Sequence, residues 1–157
     1  MRSQYTFTGQ YDFVIDSKNR INIPSIFRKQ LHKSDKNTFV ITRGIDRCIW
    51  IYALGEWEKI ERELSQLSSL SKTNRIFLRN HLRHAKIVSS DEQGRLILTK
   101  NLIEYANILK DITIIGVLNK IEIWDNATLE KSDSKQSIDE DSYEEPVSYT
   151  HLRAHET

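Results

Sequence analysis

The sequence predicts an α+β protein, mainly β, in which two copies of one unit share a single core and are joined by helices. A strand-turn-strand stretch occurs twice, at Tyr11–Pro24 and at Lys86–Thr99, with its aspartates and its arginines each 75 positions apart. Each copy is followed by a helical segment, a β-rich run, a glycine and a strand with a tryptophan, at Trp50 and Trp124. A unit of roughly 45 residues buries too little surface to be stable alone. The two units are therefore expected to form one core.

The first repeat begins with an alternating strand that ends at Asp16, and we expect residues 1–8 before it to be a frayed leader. Ser17–Asn19 forms the turn, because asparagine tolerates the left-handed conformation that tight turns need. In the next strand, Arg20–Ile23, the isoleucines face inward and the polar residues face outward. A helix at Ser25–Leu31 and strands at 38–42 and 48–52 complete the repeat.

The composition changes after the first repeat and again near the end of the chain. Two amphipathic helices connect the repeats, the second with Arg75, Arg79 and Arg83 on a basic stripe. The predicted organisation is a first repeat at 10–55, a helical connector at 56–83, a second repeat at 84–127 and a disordered acidic tail at 128–157. We interpret the last ten residues, SYTHLRAHET, as sequencing-adapter read-through rather than as part of the fold.

The charge is unevenly distributed, and the overall composition argues against membrane and secreted classes. Residues 125–145 hold eight acidic residues and two lysines, a net charge of −6. In the last twelve residues of the chain, one positive and one negative charge cancel. Since the whole chain carries +1, residues 1–124 carry +7, which is compatible with a polyanionic partner. No run approaches the ~20 apolar residues of a membrane helix. The single cysteine, Cys48, is typical of a small core residue in a reducing compartment.

The sequence offers little support for catalysis or for a metal or other cofactor. His81 and His84 have a metal-ligand spacing, but no cysteine or acidic ligand is adjacent, and we interpret them as surface histidines. No phosphate-binding or nucleophile-elbow motif occurs. Asp16 and Asp91 could meet as an acid dyad, although an aspartate at a turn entrance ordinarily accepts backbone hydrogen bonds. We therefore expect no catalytic residue, no metal site, no cofactor and no small-molecule substrate.

The two turns carry residues that suit contact with nucleic acid. Lysine and arginine neutralise phosphates, while arginine and side-chain amides read base edges. The alternative is that Arg20 and Arg95 are outward strand residues paired with Asp16 and Asp91, and both descriptions can hold at once. The candidate DNA-binding residues are Lys18, Asn19, Arg20, Gln93 and Arg95, with Asp16 and Asp91 orienting the turns.

At these residues the sequence resembles the MraZ family of bacterial transcriptional regulators, within the wider AbrB-like swapped-hairpin group. The resemblance covers about residues 7–127. It rests on F-x-G at 7–9, DSKNR-x-x-I-P at 16–24, TRG at 42–44, CIWIY at 48–52, EWE at 56–58, D-x-x-GR at 91–95, IG at 115–116 and NKIEIW at 119–124. Two positions depart from the family pattern, since Asn19 replaces a glycine and Thr99 replaces a proline.

The resemblance implies a pseudo-two-fold β-barrel of two AbrB-like repeats with connecting helices. It also implies a ring-shaped homo-oligomer that binds short direct repeats in double-stranded DNA, in the promoter of its own division and cell-wall gene cluster. Repression and a cytoplasmic, nucleoid-associated location follow from it, and Lys18, Arg20 and Arg95 are the DNA contacts by motif position. The alternative is an AbrB-type protein-binding module such as an antitoxin, which the acidic tail slightly favours.

Overall fold

The structure is a computed structural model that describes residues 5–137, with side chains described to residue 135. The strands are β1 (Phe7–Val14), β2 (Arg20–Asn22), β3 (Thr38–Arg43), β4 (Ile49–Ala53), β5 (Lys86–Ser89), β6 (Arg95–Ile97), β7 (Asp111–Leu118) and β8 (Ile121–Asp125). The helices are α1 (Ser25–Arg28), α2 (Leu54–Leu64), α3 (Lys72–Leu82), α4 (Lys100–Tyr105) and α5 (Asn126–Ser137), and Lys33–Asp35 forms a 3-10 helix.

The two repeats exchange strands. The six-stranded antiparallel sheet has the order β1-β7-β8-β4-β3-β5, and β2 pairs with β6 in a separate two-stranded ribbon. The first strand of each repeat therefore pairs with the third strand of the other, and the order reads the same from either end when the repeats are interchanged. The α+β class and the shared core are confirmed. These pairings leave β1 and β5 at the ends of the sheet, so closure into a barrel stays a prediction.

The strand register defines the pseudo-two-fold relation between the repeats. In the ribbon, Ile21 lies opposite Leu96, its own counterpart at an offset of 75. β4 and β8 begin 72 positions apart, and Trp50 lies opposite Glu122, its structural counterpart. Both closing strands carry a tryptophan, as the sequence indicated, but Trp124 corresponds to Tyr52 and not to Trp50. Side chains of a strand alternate between its two faces, so shifting the alignment of two strands by two residues leaves the same side chains facing inward. The hydrophobic pattern of the sequence therefore cannot reveal such a shift.

One hydrophobic core lies between the exchanged strands. Apolar residues from both repeats contribute to it, and its members include Ile21, Ile23, Phe27, Phe39, Ile41, Leu96, Leu98, Leu102, Ile112 and Ile114, all at or below 1% exposure. Equivalent positions of the two repeats are buried together, so each repeat supplies apolar surface that removes the other's from water. A second, smaller cluster lies between the first repeat and the connector, and it consists of Val40, Tyr52 and Trp57.

Residues 5–8 are integral to the fold, so the expectation of a frayed leader is wrong for them. Tyr5 and Phe7 are buried, and the Tyr5 hydroxyl donates to the buried Asp35 carboxylate at 2.7 and 2.9 Å from its oxygens. The Phe7 ring lies edge-on to Phe27 with 5.2 Å between centroids. Composition could not show this, because the burial depends on contacts with a segment about thirty residues away.

The connector helices contain the second difference from expectation. His81 is 6% exposed and packs among Trp50, Trp57 and Phe77, so its interpretation as a surface histidine was wrong. Burial lowers the pKa of His81, and the nearby charge of Lys120 acts in the same direction. Apolar residues of α3 instead remain accessible, namely Ile76, Phe77 and Leu82.

The third difference concerns the predicted disordered tail. Residues 128–137 lie in α5, and residues 138–157 lie outside the described residues. Asp125 precedes this helix, and its carboxylate accepts hydrogen bonds from the backbone N–H and the hydroxyl of Thr128. This is N-capping, which stabilises the first turn of a helix whose polar composition has no apolar stripe.

We expect Tyr5→Phe to lower the free energy of unfolding by about 1.5–3 kcal/mol, because it removes a hydrogen bond to a buried carboxylate. Urea denaturation followed by circular dichroism measures the change. Tyr11→Phe is the matched control, since Tyr11 is only half-buried and the substitution keeps its ring contact with Phe27. Equal effects of the two substitutions would contradict a structural role for the Tyr5 hydroxyl.

Candidate nucleic-acid interface

The first hairpin loop is held by the carboxylate of Asp16. Its Oδ1 accepts hydrogen bonds from the backbone N–H groups of Lys18 (2.9 Å) and Arg20 (2.8 Å). Its Oδ2 accepts one from Nε of Arg20 at 2.7 Å. The Arg20 backbone N–H is the main cause that holds the pKa of the Asp16 carboxyl below its usual range, and the Arg20 side chain adds to it. One carboxylate thus fixes both the turn and the arginine.

The second hairpin loop repeats this arrangement atom for atom. Oδ1 of Asp91 accepts from the backbone N–H groups of Gln93 and Arg95, both at 2.9 Å, and Oδ2 accepts from Nε of Arg95 at 2.7 Å. The pKa of the Asp91 carboxyl is lowered by the same causes, with the Arg95 backbone N–H first. The two loops therefore present their arginines in the same local geometry.

Each loop is also tied to the opposite repeat at its left-handed residue. Asn19 has φ +61° and Gly94 has φ +79°, so asparagine takes the conformation that glycine takes in the second copy. The Asn19 carbonyl accepts from Leu98 N–H at 2.8 Å, and the Gly94 carbonyl accepts from Ile23 N–H at 3.0 Å. These bonds extend the β2–β6 ladder into both loops, which fixes the loops relative to each other.

The ribbon has one buried apolar face and one outer face, on which three of the four side chains are polar and Ile97 is apolar. Ile21 and Leu96 are buried, whereas the opposed pairs Arg20–Ile97 and Asn22–Arg95 share the outer face. Each arginine contacts its aspartate through Nε, and no hydrogen bond from the terminal nitrogens of either arginine occurs within residues 5–137. A guanidinium bound only at Nε still has donors available in its planar fork.

The candidate residues thus occupy three kinds of place. Arg20 and Arg95 are half-buried at the two ends of the ribbon, and Asn19 is half-buried in its turn. Lys18 and Gln93 hold equivalent exposed positions at the loop tips. The structure brings all five candidates onto the two loops and the strands that follow them, with Asp16 and Asp91 beneath the arginines.

Sequence reasoning missed one cation beside the second loop. Nε of Arg28 donates to the Ile23 carbonyl at 3.1 Å, and a Cβ added to Gly94 would lie 2.5 Å from that Nε. The Arg28 side chain therefore lies directly over Gly94. Its position at the end of α1 carried no signal beyond its charge, because the contact crosses between repeats. The second loop also carries a negative charge, on the exposed Glu92.

Three further features of the described residues concern metal ions, the cysteine and membranes. Among residues 5–137, no group of three histidine, cysteine or acidic side chains could hold a metal ion. The Cys48 thiol is buried, and burial raises its pKa, which keeps it protonated. No helix in this part of the chain is long and apolar enough to cross a bilayer.

The fold and the loops together define a class: an intertwined double-repeat β protein with two matched arginine-bearing hairpins. Comparison with known proteins agrees with it. The family model described as "MraZ protein, putative antitoxin-like" matches twice, at residues 6–80 and 81–153. The transcriptional regulator MraZ of Clostridium tetani is 46% identical over 118 residues, which cover 75% of this chain and 80% of that protein. Its counterpart in Clostridium acetobutylicum is 45% identical with the same coverage.

The chain belongs to the MraZ family. The resemblance drawn from the sequence motifs is confirmed, including the presence of two repeats.

We expect carboxyl-carbon NMR titration to place the pKa values of Asp16 and Asp91 below the ordinary value of 3.8. Because these pKa values are lower in the folded chain, each carboxylate stabilises the fold above pH 3.8, and this contribution is lost as the pH falls through the lowered pKa. Arg20→Gln should raise the pKa of Asp16 part of the way, since the backbone N–H of residue 20 remains.

The internal control is Asp91 in the same variant. Its partner, Arg95, is unchanged, so its pKa should not move. An ordinary pKa for Asp16 in the parent chain would show that the carboxylate does not hold the loop in solution.

Proposed function

We propose that this chain is a DNA-binding transcriptional regulator that contacts double-stranded DNA through the outer face of the β2–β6 ribbon and its two loops. The supporting observation is the matched pair of fixed arginines, each anchored at Nε with its terminal nitrogens directed to no other described group. A two-stranded ribbon fits the major groove, where arginine reads guanine through two parallel hydrogen bonds. The names of the relatives support regulation of transcription.

The loops divide the proposed work between base reading and phosphate contact. Arg20 and Arg95 read base edges, with Asp16 and Asp91 fixing their orientation. Lys18 contacts phosphate, and the amides of Asn19 and Gln93 add polar contacts at the loop tips. A side chain that is oriented before binding loses less conformational entropy on contact, so these pairs favour specific over random binding.

The proposed target is a set of short direct repeats in the promoter of the chain's own division and cell-wall gene cluster, where binding represses transcription. The protein acts without catalysis, in the cytoplasm and on the nucleoid. In the assembly, we propose that the sheet and ribbon close into a barrel and that copies of the barrel form a ring. Several weak loop contacts on successive DNA repeats then combine through their high effective concentration.

Accessible apolar residues on the connector support self-association. Leu70, in the turn between α2 and α3, is 90% exposed, and Ile76 of α3 is 43% exposed, in a connector that is otherwise rich in charge. Apolar groups that remain in water on one side of a soluble domain commonly mark an interface.

A protein-binding role is the second candidate, and the antitoxin-like description of the family model favours it. Affinity purification of the tagged chain distinguishes the two roles. A stable heterologous partner at one-to-one stoichiometry supports the antitoxin role, whereas recovery of promoter DNA with the chain alone supports regulation of transcription.

Arg20→Ala should weaken binding to the chain's own promoter, with a loss of about 1–3 kcal/mol at each engaged loop. Arg95→Ala should cause a smaller loss. The first loop carries Lys18, whereas the second carries Glu92 and Gln93, and a carboxylate near the phosphates offsets one cation. Fluorescence anisotropy at several salt concentrations measures the affinity. Lys18→Ala should weaken promoter and random DNA alike and reduce the salt slope by about one.

Circular dichroism controls for folding, and Arg62→Ala removes an exposed arginine of α2 as the matched charge control. If folded Arg20→Ala binds the promoter like the parent, the first loop does not read DNA and the site assignment is wrong.

Light scattering in moderate salt should report a large oligomer of discrete mass, and Ile76→Lys should reduce that mass. The substitution places a charge among the accessible apolar residues of α3, where desolvating it would oppose association. Thr73→Lys adds the same charge at an exposed polar position of the same helix. A monomer of the parent chain at micromolar concentration would refute the ring.

A further inference from the structure

A cavity of about 270 Å³ lies where α3, the β3–β4 hairpin and α4 meet, separate from the ribbon and its loops. Its lining comes from the connector and from both repeats. It consists of Arg43, Gly44 and Ile45 of the hairpin, Phe77, Asn80 and His81 of α3, and Tyr105 of α4.

The polar centre of this cavity is Arg43. Its guanidinium carbon lies 4.4 Å from the centroid of the Tyr105 ring, in a cation–π contact. Its Nε is buried and has no hydrogen-bond partner within residues 5–137. The terminal nitrogens of Arg43 make no hydrogen bond within this part of the chain, and unlike Nε they are not buried, so they are the donors that a group in the cavity can reach.

The Tyr105 ring is fixed by hydrogen bonds from its hydroxyl to the β3–β4 hairpin. The Tyr105 hydroxyl donates to the Gly44 carbonyl at 2.8 Å and lies 3.3 Å from the Asp46 carbonyl. The guanidinium carbon of Arg47 also lies over this ring, at 4.8 Å. Two cations thus share one aromatic ring, which concentrates positive charge at the cavity.

The rest of the lining combines apolar surface with amide and cationic groups. Ile45 and Phe77 supply accessible apolar surface, and the exposed Asn80 supplies an amide at the wall. None of the described lining residues carries a carboxylate. The positive field extends beyond the lining, because after burial the charges of Arg43 and Arg83 are the causes that lower the pKa of the neighbouring His84.

We propose that this cavity binds a small organic anion, in which one compact acidic group is attached to an apolar or aromatic body. The acidic group accepts hydrogen bonds from the terminal nitrogens of the Arg43 guanidinium and from the Asn80 amide. The apolar body packs between Ile45 and Phe77. Carboxylates and phosphates both bind a guanidinium through paired hydrogen bonds. The cavity therefore selects for an acidic group, and binding measurements distinguish a carboxylate from a phosphate. The site is independent of DNA binding.

The test uses the full-length chain in its own assembly and three probes: benzoate, phenyl phosphate and uncharged benzamide. Ligand-observed NMR titration should show at least one anion binding about tenfold or more tightly than benzamide, since hydrogen bonds to charged groups are the strong ones. The tighter anion identifies the acidic group. Equal binding of benzamide, or no saturable binding of either anion, overturns the proposal.

Variants place the anion at the cavity. Arg43→Gln should weaken anion binding about tenfold to a hundredfold and leave benzamide unchanged. Asn80→Asp changes an exposed residue, so the fold is retained even where Arg43→Gln is unstable, and its added negative charge should abolish anion binding. Arg62→Gln removes an equal charge away from the cavity and should bind like the parent. Parental affinity in Asn80→Asp would show that the anion binds elsewhere.

Discussion

The exchange of strands between the repeats is the constraint on which the rest of the structure depends. β1 pairs with β7 and β5 pairs with β3, so neither repeat can complete its sheet without the other. The buried pair Ile21–Leu96 shows the same dependence at the ribbon, where each repeat contributes one strand. Folding must therefore join segments far apart in sequence, at a high cost in chain entropy. The stability that offsets it comes from a core that forms once, for both repeats together.

The proposed DNA-contacting loops inherit their rigidity from this exchange. The carbonyls of Asn19 and Gly94 each accept a hydrogen bond from a backbone N–H of the opposite repeat, so the loops cannot move apart without breaking the ribbon that covers the core. Each aspartate then transfers that order to an arginine through a single carboxylate. A binding group held by a rigid backbone and a second partner keeps its geometry before a ligand arrives. The core therefore fixes the ribbon, the ribbon fixes the two loops, and the loop aspartates fix the guanidinium groups.

The features that could be predicted from sequence are the local ones. The strand-turn-strand units and the left-handed Asn19 follow from residue types within a few positions of one another, and the repeat follows from the similarity of two such stretches. The errors concern features set by distant contacts. Tyr5 is ordered by Asp35, and His81 is buried by tryptophans from β4 and α2. In the candidate site, residue types suggested the Asp–Arg pairs, but the cross-repeat bonds and the position of Arg28 over Gly94 depend on strand exchange, which no local pattern encodes.

Duplication within one chain lets symmetry-related positions differ, and the centre of the sheet shows why that matters. Trp50 faces Glu122 across β4 and β8, at a point where a symmetric dimer would place identical residues opposite each other. Two opposed glutamates would repel, and two opposed indoles would leave their N–H groups without this acceptor. Here Oε2 of Glu122 accepts from Trp50 Nε1 at 3.0 Å and Oε1 accepts from Trp124 Nε1 at 2.9 Å. One carboxylate thus satisfies two indoles, an arrangement that requires the repeats to be unequal. The same freedom permits lysine at residue 18 and glutamine at residue 93, so that two loops of one geometry can contribute unequally to binding.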